Sequence, residues 1–358
     1  MPCTQGAPHT VAHRPAPERL KQVMNAKDPN ALTPGWDYTD EEIRSFVGDL
    51  QSLQGGDLTV SLLVGCGARA IPPLREYLLE GQPQGIFQPR QRAVEALAQL
   101  GAKEVLLEYL SQKREIPDAV ARFGEEAVEN TAARALSKWR TDNVYLFLKD
   151  YAQKRMLSGV IEALGKFERE ESAAQLIRAL EDDVCRPTAE EALRVVAEKM
   201  KPLLLCAAHR ESNEGEEKTS ERQRRRSVLK ILAEMSLTQQ DWGKLQDLLH
   251  DKDVPVALTT ALIAVNTSPL EEKQQAARFL IRSLGQAQWF LQMQIQDCLH
   301  RNYSSVRDVI AKEVVGRRRL AQGEALSDPV LRILVYLQST AADSPEGMEG
   351  HGFRTDAK

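Results

Sequence analysis

The chain has 358 residues, of which 42% are hydrophobic, 27% charged and only 5% aromatic. The apolar share can bury a large core, and its bias to Ala, Leu and Val favours closely packed helices over an all-β fold. A formal net charge of -4 excludes a general attraction to phosphate backbones or anionic lipid, though not a local basic patch.

Residues 1–35 carry Pro2, Pro8, Pro15, Pro17, Pro29 and Pro34 and few periodic apolar positions, so they read as a disordered leader. The first twenty residues lack the apolar stretch of a signal peptide. No uncharged run in the chain approaches the ~18 residues of a membrane span. A soluble, cytoplasmic protein without membrane partners is expected. Trp36 stands at a predicted helix start, as does Trp242.

From 36 to 208 helical periodicity dominates. Val128, Ala132, Ala135, Leu136 and Trp139 share a face, then Val144, Phe147, Leu148 and Tyr151. Leu157, Ile161, Leu164 and Phe167 follow, then Ala173, Leu176, Ile177 and Leu180, then Ala189, Ala192, Leu193, Val196 and Met200. Residues 209–226 form a charged linker or insertion. A second, more divergent stack occupies 227–339, with stripes at Leu245, Leu248 and Leu249, at Leu258, Ala261, Leu262 and Val265, and at Ala277, Leu280, Ile281 and Leu284. Residues 340–358 read as a disordered tail. No strand alternation is evident. Helices of about 10–14 residues are marginal alone in water. Joined by short turns, they bury their stripes by packing as antiparallel hairpins. The expected fold is all-α, a right-handed α-α superhelix, or solenoid, of stacked hairpins.

An Ala-Leu step recurs at Ala96-Leu97, Ala135-Leu136, Ala163-Leu164, Ala192-Leu193 and Ala261-Leu262, with Leu63 and Leu232 in weaker register. The spacings of that Leu, counted from Leu63, are 34, 39, 28, 29, 39 and 30. The two longest contain insertions, one near SQKREIPDAVARFG and one at HRESNEGEEKTSERQRRR. Without them the period is about 30 residues, one short helical hairpin. Acidic turns recur between hairpins, at Asp182-Asp183 and at Asp251 and Asp253, where a carboxylate can accept from the free N–H groups that open the next helix. Pro187 and Pro255 suit a first helical turn.

ALGKFEREESAAQLIRALEDD, from Ala163 to Asp183, resembles a HEAT repeat of the short kind found in bilin-lyase-like proteins. GARAIPPLREYLLEG (Gly67 to Gly81), AVEALAQLGAKEVLLEYL (Ala93 to Leu110) and HDKDVPVALTTALIAV (His250 to Val265) look like halves, wholes and junctions of such units. The likeness runs from about Val60 to Leu205 and fades after Leu232, where the family's Gly and Pro marks are missing. The resemblance implies the solenoid fold and hardly constrains activity, because such repeats serve many roles.

The candidate chemistry is sparse. Gly65-Cys66-Gly67-Ala68-Arg69-Ala70 satisfies G-x-G-x-x-A, a dinucleotide loop only when a strand precedes it. Here its residues align with the repeat, Leu63 with Leu97, Gly67 with Gly101 and Ile71 with Val105, and predict a helix–helix turn. The acidic pairs lack further oxygen ligands for a cation. The histidines, His9, His13, His209, His250, His300 and His351, form no H-x-x-x-H pair. Cys3, Cys66, Cys185, Cys206 and Cys298 form no C-x-x-C pair, which fits a reducing compartment. No catalytic, cofactor or metal residue is therefore assigned. Two basic clusters are the candidate partner-binding residues: Arg222, Arg224, Arg225 and Arg226, and Arg317, Arg318 and Arg319. Trp139, on an apolar stripe, belongs to the core; Trp289 is a possible exposed anchor.

These features predict a non-catalytic scaffold or adaptor that binds a protein partner on a concave face, with no cofactor. The alternatives are a bilin-lyase-like factor that handles a tetrapyrrole, and a helical-repeat nucleic-acid binder of the DNA glycosylase kind. The net charge speaks against nucleic acid.

Overall fold

The structure, a computed structural model, describes residues 38–52, 55–211, 216–320 and 328–342. Among the described residues every regular element is helical, so the chain is all-α. The leader to residue 37, with Trp36, and the tail beyond 342 lie outside the described residues. No helix of the described residues is long and apolar enough to cross a membrane.

The chain divides into two compact units, Met1–Phe167 and Glu168–Lys358. The first holds α1 (Asp40–Asp49), α2 (Gly56–Gly65), α3 (Ile71–Glu80), α4 (Gln88–Gln99), α5 (Lys103–Ser111), α6 (Ala119–Leu136), α7 (Asp142–Lys154) and α8 (Ser158–Gly165). The second holds α9 (Ala173–Ala179), α10 (Arg186–Ala207), α11 (Thr219–Ala233), α12 (Gln239–Trp242), α13 (Val254–Thr267), α14 (Leu270–Ser283), α15 (Trp289–Arg301), α16 (Tyr303–Leu320) and α17 (Pro329–Ala342). The division thus falls at Phe167 and not at the charged segment 209–226, which lies within the second unit. The residues of that segment from Thr219 onward are helix. α11 opens at Thr219 with Glu221 in its first turn, and its arginines continue into the buried stripe of Val228, Leu229 and Leu232.

Local chemistry sets the helix ends. Thr39 and Glu42 close a capping box on α1, with the Glu42 N–H donating to Thr39 Oγ1 (3.2 Å) and the Thr39 N–H to Glu42 Oε2 (2.9 Å). Asp118 caps α6 by accepting from the Ala121 N–H at 2.7 Å. The acidic turns act likewise. Asp182 accepts from the N–H groups of Val184 (3.0 Å) and Cys185 (2.9 Å), and Asp253 from that of Val256 (3.1 Å). The G-x-G-x-x-A run is a helix–helix turn: α2 ends at Gly65 and Gly67 has φ +63. Its repeat equivalent Gly101 has φ +76, and the Ala102 N–H returns to the Leu97 carbonyl at 2.9 Å. Both positions use the left-handed conformation that glycine adopts without strain.

Packing follows the repeat. In the first unit α2 packs on α4, α4 on α6 and α6 on α8, while α1 packs on α3 and α3 on α5. In the second unit α9 packs on α11, α11 on α13, α13 on α15 and α15 on α17, with α14 on α16. The periodic leucines are the centre of these contacts. Leu63, Leu97, Leu136, Leu164, Leu193 and Leu232 are completely buried. At the last step the frame slips by one residue, so Leu262 is half-buried and Ile263 takes the interior position.

Two glycines should respond oppositely to alanine. A Cβ at Gly48 of α1 meets nothing within 4 Å, whereas one at Gly124 of α6 would meet the Gln84 carbonyl oxygen at 2.0 Å. In urea denaturation, Gly48→Ala should raise stability by about 0.5–1 kcal/mol. Gly124→Ala should lower it by about 2–3 kcal/mol, because backbone must yield.

Candidate interaction site

The arginine cluster of α11 is sorted by helical geometry. Residues i, i+3 and i+4 share a helix face, so Arg222, Arg225 and Arg226 point together and Arg224 points elsewhere. The first three line a polar cavity of ≈ 1020 Å³ with His209, Arg210, Glu217, His250, Asp251, Lys252 and Asp253, and Arg224 does not.

Arg225 is completely buried. Its guanidinium donates to the Ala208 carbonyl at 2.9 Å, to Glu217 at 2.7 Å and to Asp251. Burial acts to lower its pKa, but Glu217 and Asp251 outweigh burial and hold it above the ordinary value. Arg226 forks onto Asp253 (3.0 and 2.6 Å). Burial acts to raise the Asp253 pKa, but Arg226 and the Val256 N–H hold it below its usual range. One carboxylate thus caps α13 and anchors α11. Arg224, also buried, faces Glu211 (2.8 Å), Glu181 (3.4 Å) and Glu221 (3.7 Å). Arg222 is the loosest, lying 3.5 Å from both Glu217 and Asp253 with its side chain 38% exposed.

Of the predicted partner-binding residues, Arg222 and Arg226 therefore reach the cavity rim, while Arg224 and Arg225 are interior. Lys252 and His250 are exposed beside the rim. In the second cluster, at the end of α16, Arg317 pairs with Asp328 at 2.8 Å, and Arg318 and Arg319 are exposed. That cluster does not line the cavity. Trp289 opens α15 with 74% of its surface exposed, next to exposed Phe290 and Met293. Trp242 is buried, and Trp139 is half-buried in the turn after α6. Among the described residues no group of three or more His, Cys, Asp or Glu could hold a metal ion.

Sequence reasoning missed a charged cluster in the first unit. Glu125 of α6 is buried and accepts from Tyr109 (2.7 Å), Arg114 (3.2 Å) and Arg90. Both guanidinium carbons lie over the Tyr109 ring, at 5.5 Å for Arg90 and 5.4 Å for Arg114. A signal existed: Glu125 precedes Val128 by three residues and Ala132 by seven, so a charge sits on the apolar stripe.

The second unit's site is a polar surface suited to binding a charged group. Its inner carboxylates are already matched by arginines, and its rim presents cations that can turn to a carboxylate or phosphate. The chain matches no model of a known protein family and no curated protein sequence.

Removing the Arg225 guanidinium strands Glu217 and Asp251 below the surface. Arg225→Met should therefore lower the stability of the second unit by about 3–5 kcal/mol. Arg318→Ala, at an exposed position, should change it by less than about 0.5 kcal/mol. Urea denaturation of the two full-length variants checks both.

Proposed function

We propose that the chain is a non-catalytic helical-repeat scaffold, built of short HEAT-type hairpins, that holds a protein partner. In this reading each unit is a stretch of right-handed α-α superhelix, and the partner lies along its concave face. The reading rests on one observation: in each unit alternate helices pack on one another, α2 through α8 in the first and α11 through α17 in the second. Such stacking repeats one helix face along a row, which suits the grip of an extended segment or a folded surface.

The rim of the charged cavity is the proposed contact area, and the partner surface it suits is acidic. Arg222 is half-buried and only loosely paired, and Lys252 is exposed beside it. Rim charges govern encounter and partner choice more than fold stability.

The tagged chain, purified from its native cell, should bring down one protein in near-equal amount. The double variant Arg222→Glu with Lys252→Glu should weaken that binding at least about tenfold, because like charges then face each other; Lys252→Glu alone, at an exposed position, should weaken it in the same direction while the urea midpoint stays put. Undiminished recovery with the double variant would overturn the assignment of the rim. Recovery of nucleic acid alone, or of a coloured tetrapyrrole, would replace the scaffold reading by one of its alternatives.

A further inference from the structure

The first unit carries a second acidic group that the interaction site does not use. Glu125, Glu126 and Glu129 stand at positions i, i+1 and i+4 of α6. Glu125 has three donors, as described. Glu129 is only 8% exposed and has one cation within ion-pair distance, Arg155 at 2.6 Å. That cation is shared with Glu126 at 3.2 Å. The second carboxylate oxygen of Glu129, Oε2, is buried and has no hydrogen-bond partner. An ionised carboxylate with one buried, unmatched oxygen is costly to keep inside a protein.

The corner between α7 and α8 packs closely on α6 beside it. Arg155 follows α7 in extended conformation and leads into the short connection to α8. α8 then lies directly on α6: the Gly159 N–H donates to the side chain of Asn130, the residue after Glu129, and a Cβ on Gly159 would meet the Asn130 carbonyl oxygen at 2.4 Å. The charged and titratable groups around Glu129 are Arg90 from α4, Tyr109 from α5, Arg114 from the loop before α6, Tyr151 from α7, Arg155 beyond it, and Glu125 and Glu126 on α6 itself. α8 faces this stretch of α6 with Ser158 and Gly159, which carry no charge; farther along, its Glu162 is engaged by Arg134 and Lys166.

We propose that the corner joining α7 to α8 is a pH-sensitive joint, held shut on α6 while Glu129 keeps its proton and opened to water when that proton is lost. In the closed corner the Glu129 pKa is raised to about 7, chiefly by burial, with Glu125 and Glu126 adding to the shift and Arg155 and Tyr151 opposing it. In the opened corner the carboxyl returns towards its ordinary value of 4.5. Between these two values the closed form binds the proton and the open form does not. Closure is therefore strongest below the lower value, weakens as pH climbs to the upper one, and then levels off.

Amide hydrogen exchange across residues 155–161 of the full chain, corrected for the intrinsic rate, tests the joint. Protection should fall by up to about tenfold per pH unit from about pH 5 to about pH 7. Glu129→Gln should abolish that slope. Glu126→Gln, which touches the same arginine, should keep it. A wild-type corner with no slope, or a Glu129→Gln corner with the wild-type slope, would sink the proposal. A carboxyl titration of Glu129 by carbon NMR in the wild-type chain gives an independent check: a midpoint near neutrality supports the joint, and one below about 5 refutes it.

Discussion

The contact on which both units depend is an arginine that reaches the last carbonyls of one helix while pairing with a carboxylate on another segment. Arg92 donates to the Leu50 and Ser52 carbonyls after α1 and to Asp57 of α2. Arg90 donates to Leu78 in the last turn of α3 and to Glu125 of α6. Arg186 reaches Leu180 after α9 and pairs locally with Asp183, while Arg225 joins Ala208 after α10 to Glu217 and Asp251. Each guanidinium sits where a helix dipole favours a cation and where free carbonyls need a donor. Its planar fork suits several acceptors at once, which a lysine could not match.

Apolar burial alone would not fix this arrangement. The stripes of successive repeats are nearly interchangeable Ala-Leu steps, and hydrophobic attraction has no direction. Sliding one helix along its neighbour by a turn, about 5.4 Å, would re-pair one Leu with another Leu at modest cost. The same slide would strand Arg225 from three acceptors drawn from three separate segments. The leucines supply most of the burial, and the arginines select the register in which it occurs.

Much of the fold could be read from the residues because its causes are local. The period of the buried leucines, the carboxylates at Asp182 and Asp253, and the left-handed glycines at 67 and 101 each follow from a few neighbouring side chains. The unit boundary could not be read in this way, since the composition around 209–226 looks like a linker while its second half is the start of a buried helix. The site was legible only in part. Four arginines in a row of five look alike as composition, and once the helix is known to open at Thr219 their directions follow from its 3.6-residue period. Which of them is interior depends on Glu211, Glu217, Asp251 and Asp253, and no local pattern announces those pairings.

The two charged clusters differ in a way that bears on what each can do. Around Arg225 every inner carboxylate has a guanidinium and every inner guanidinium a carboxylate, so the interior is electrically closed and only the rim answers to an outside charge. Around α6 the pairing is uneven: Glu125 takes both Arg90 and Arg114, while Glu126 and Glu129 draw on a single Arg155. A closed network holds its carboxylates ionised around neutrality, and its stability falls only in the acid range, where Asp253, whose pKa is held below the usual value, would have to take up a proton. An uneven one must take up a proton or admit water, and that makes its packing depend on pH. The same residue types in the same kind of helix packing thus give a rigid anchor in one unit and a titrating joint in the other, according to whether every buried carboxylate oxygen finds a donor.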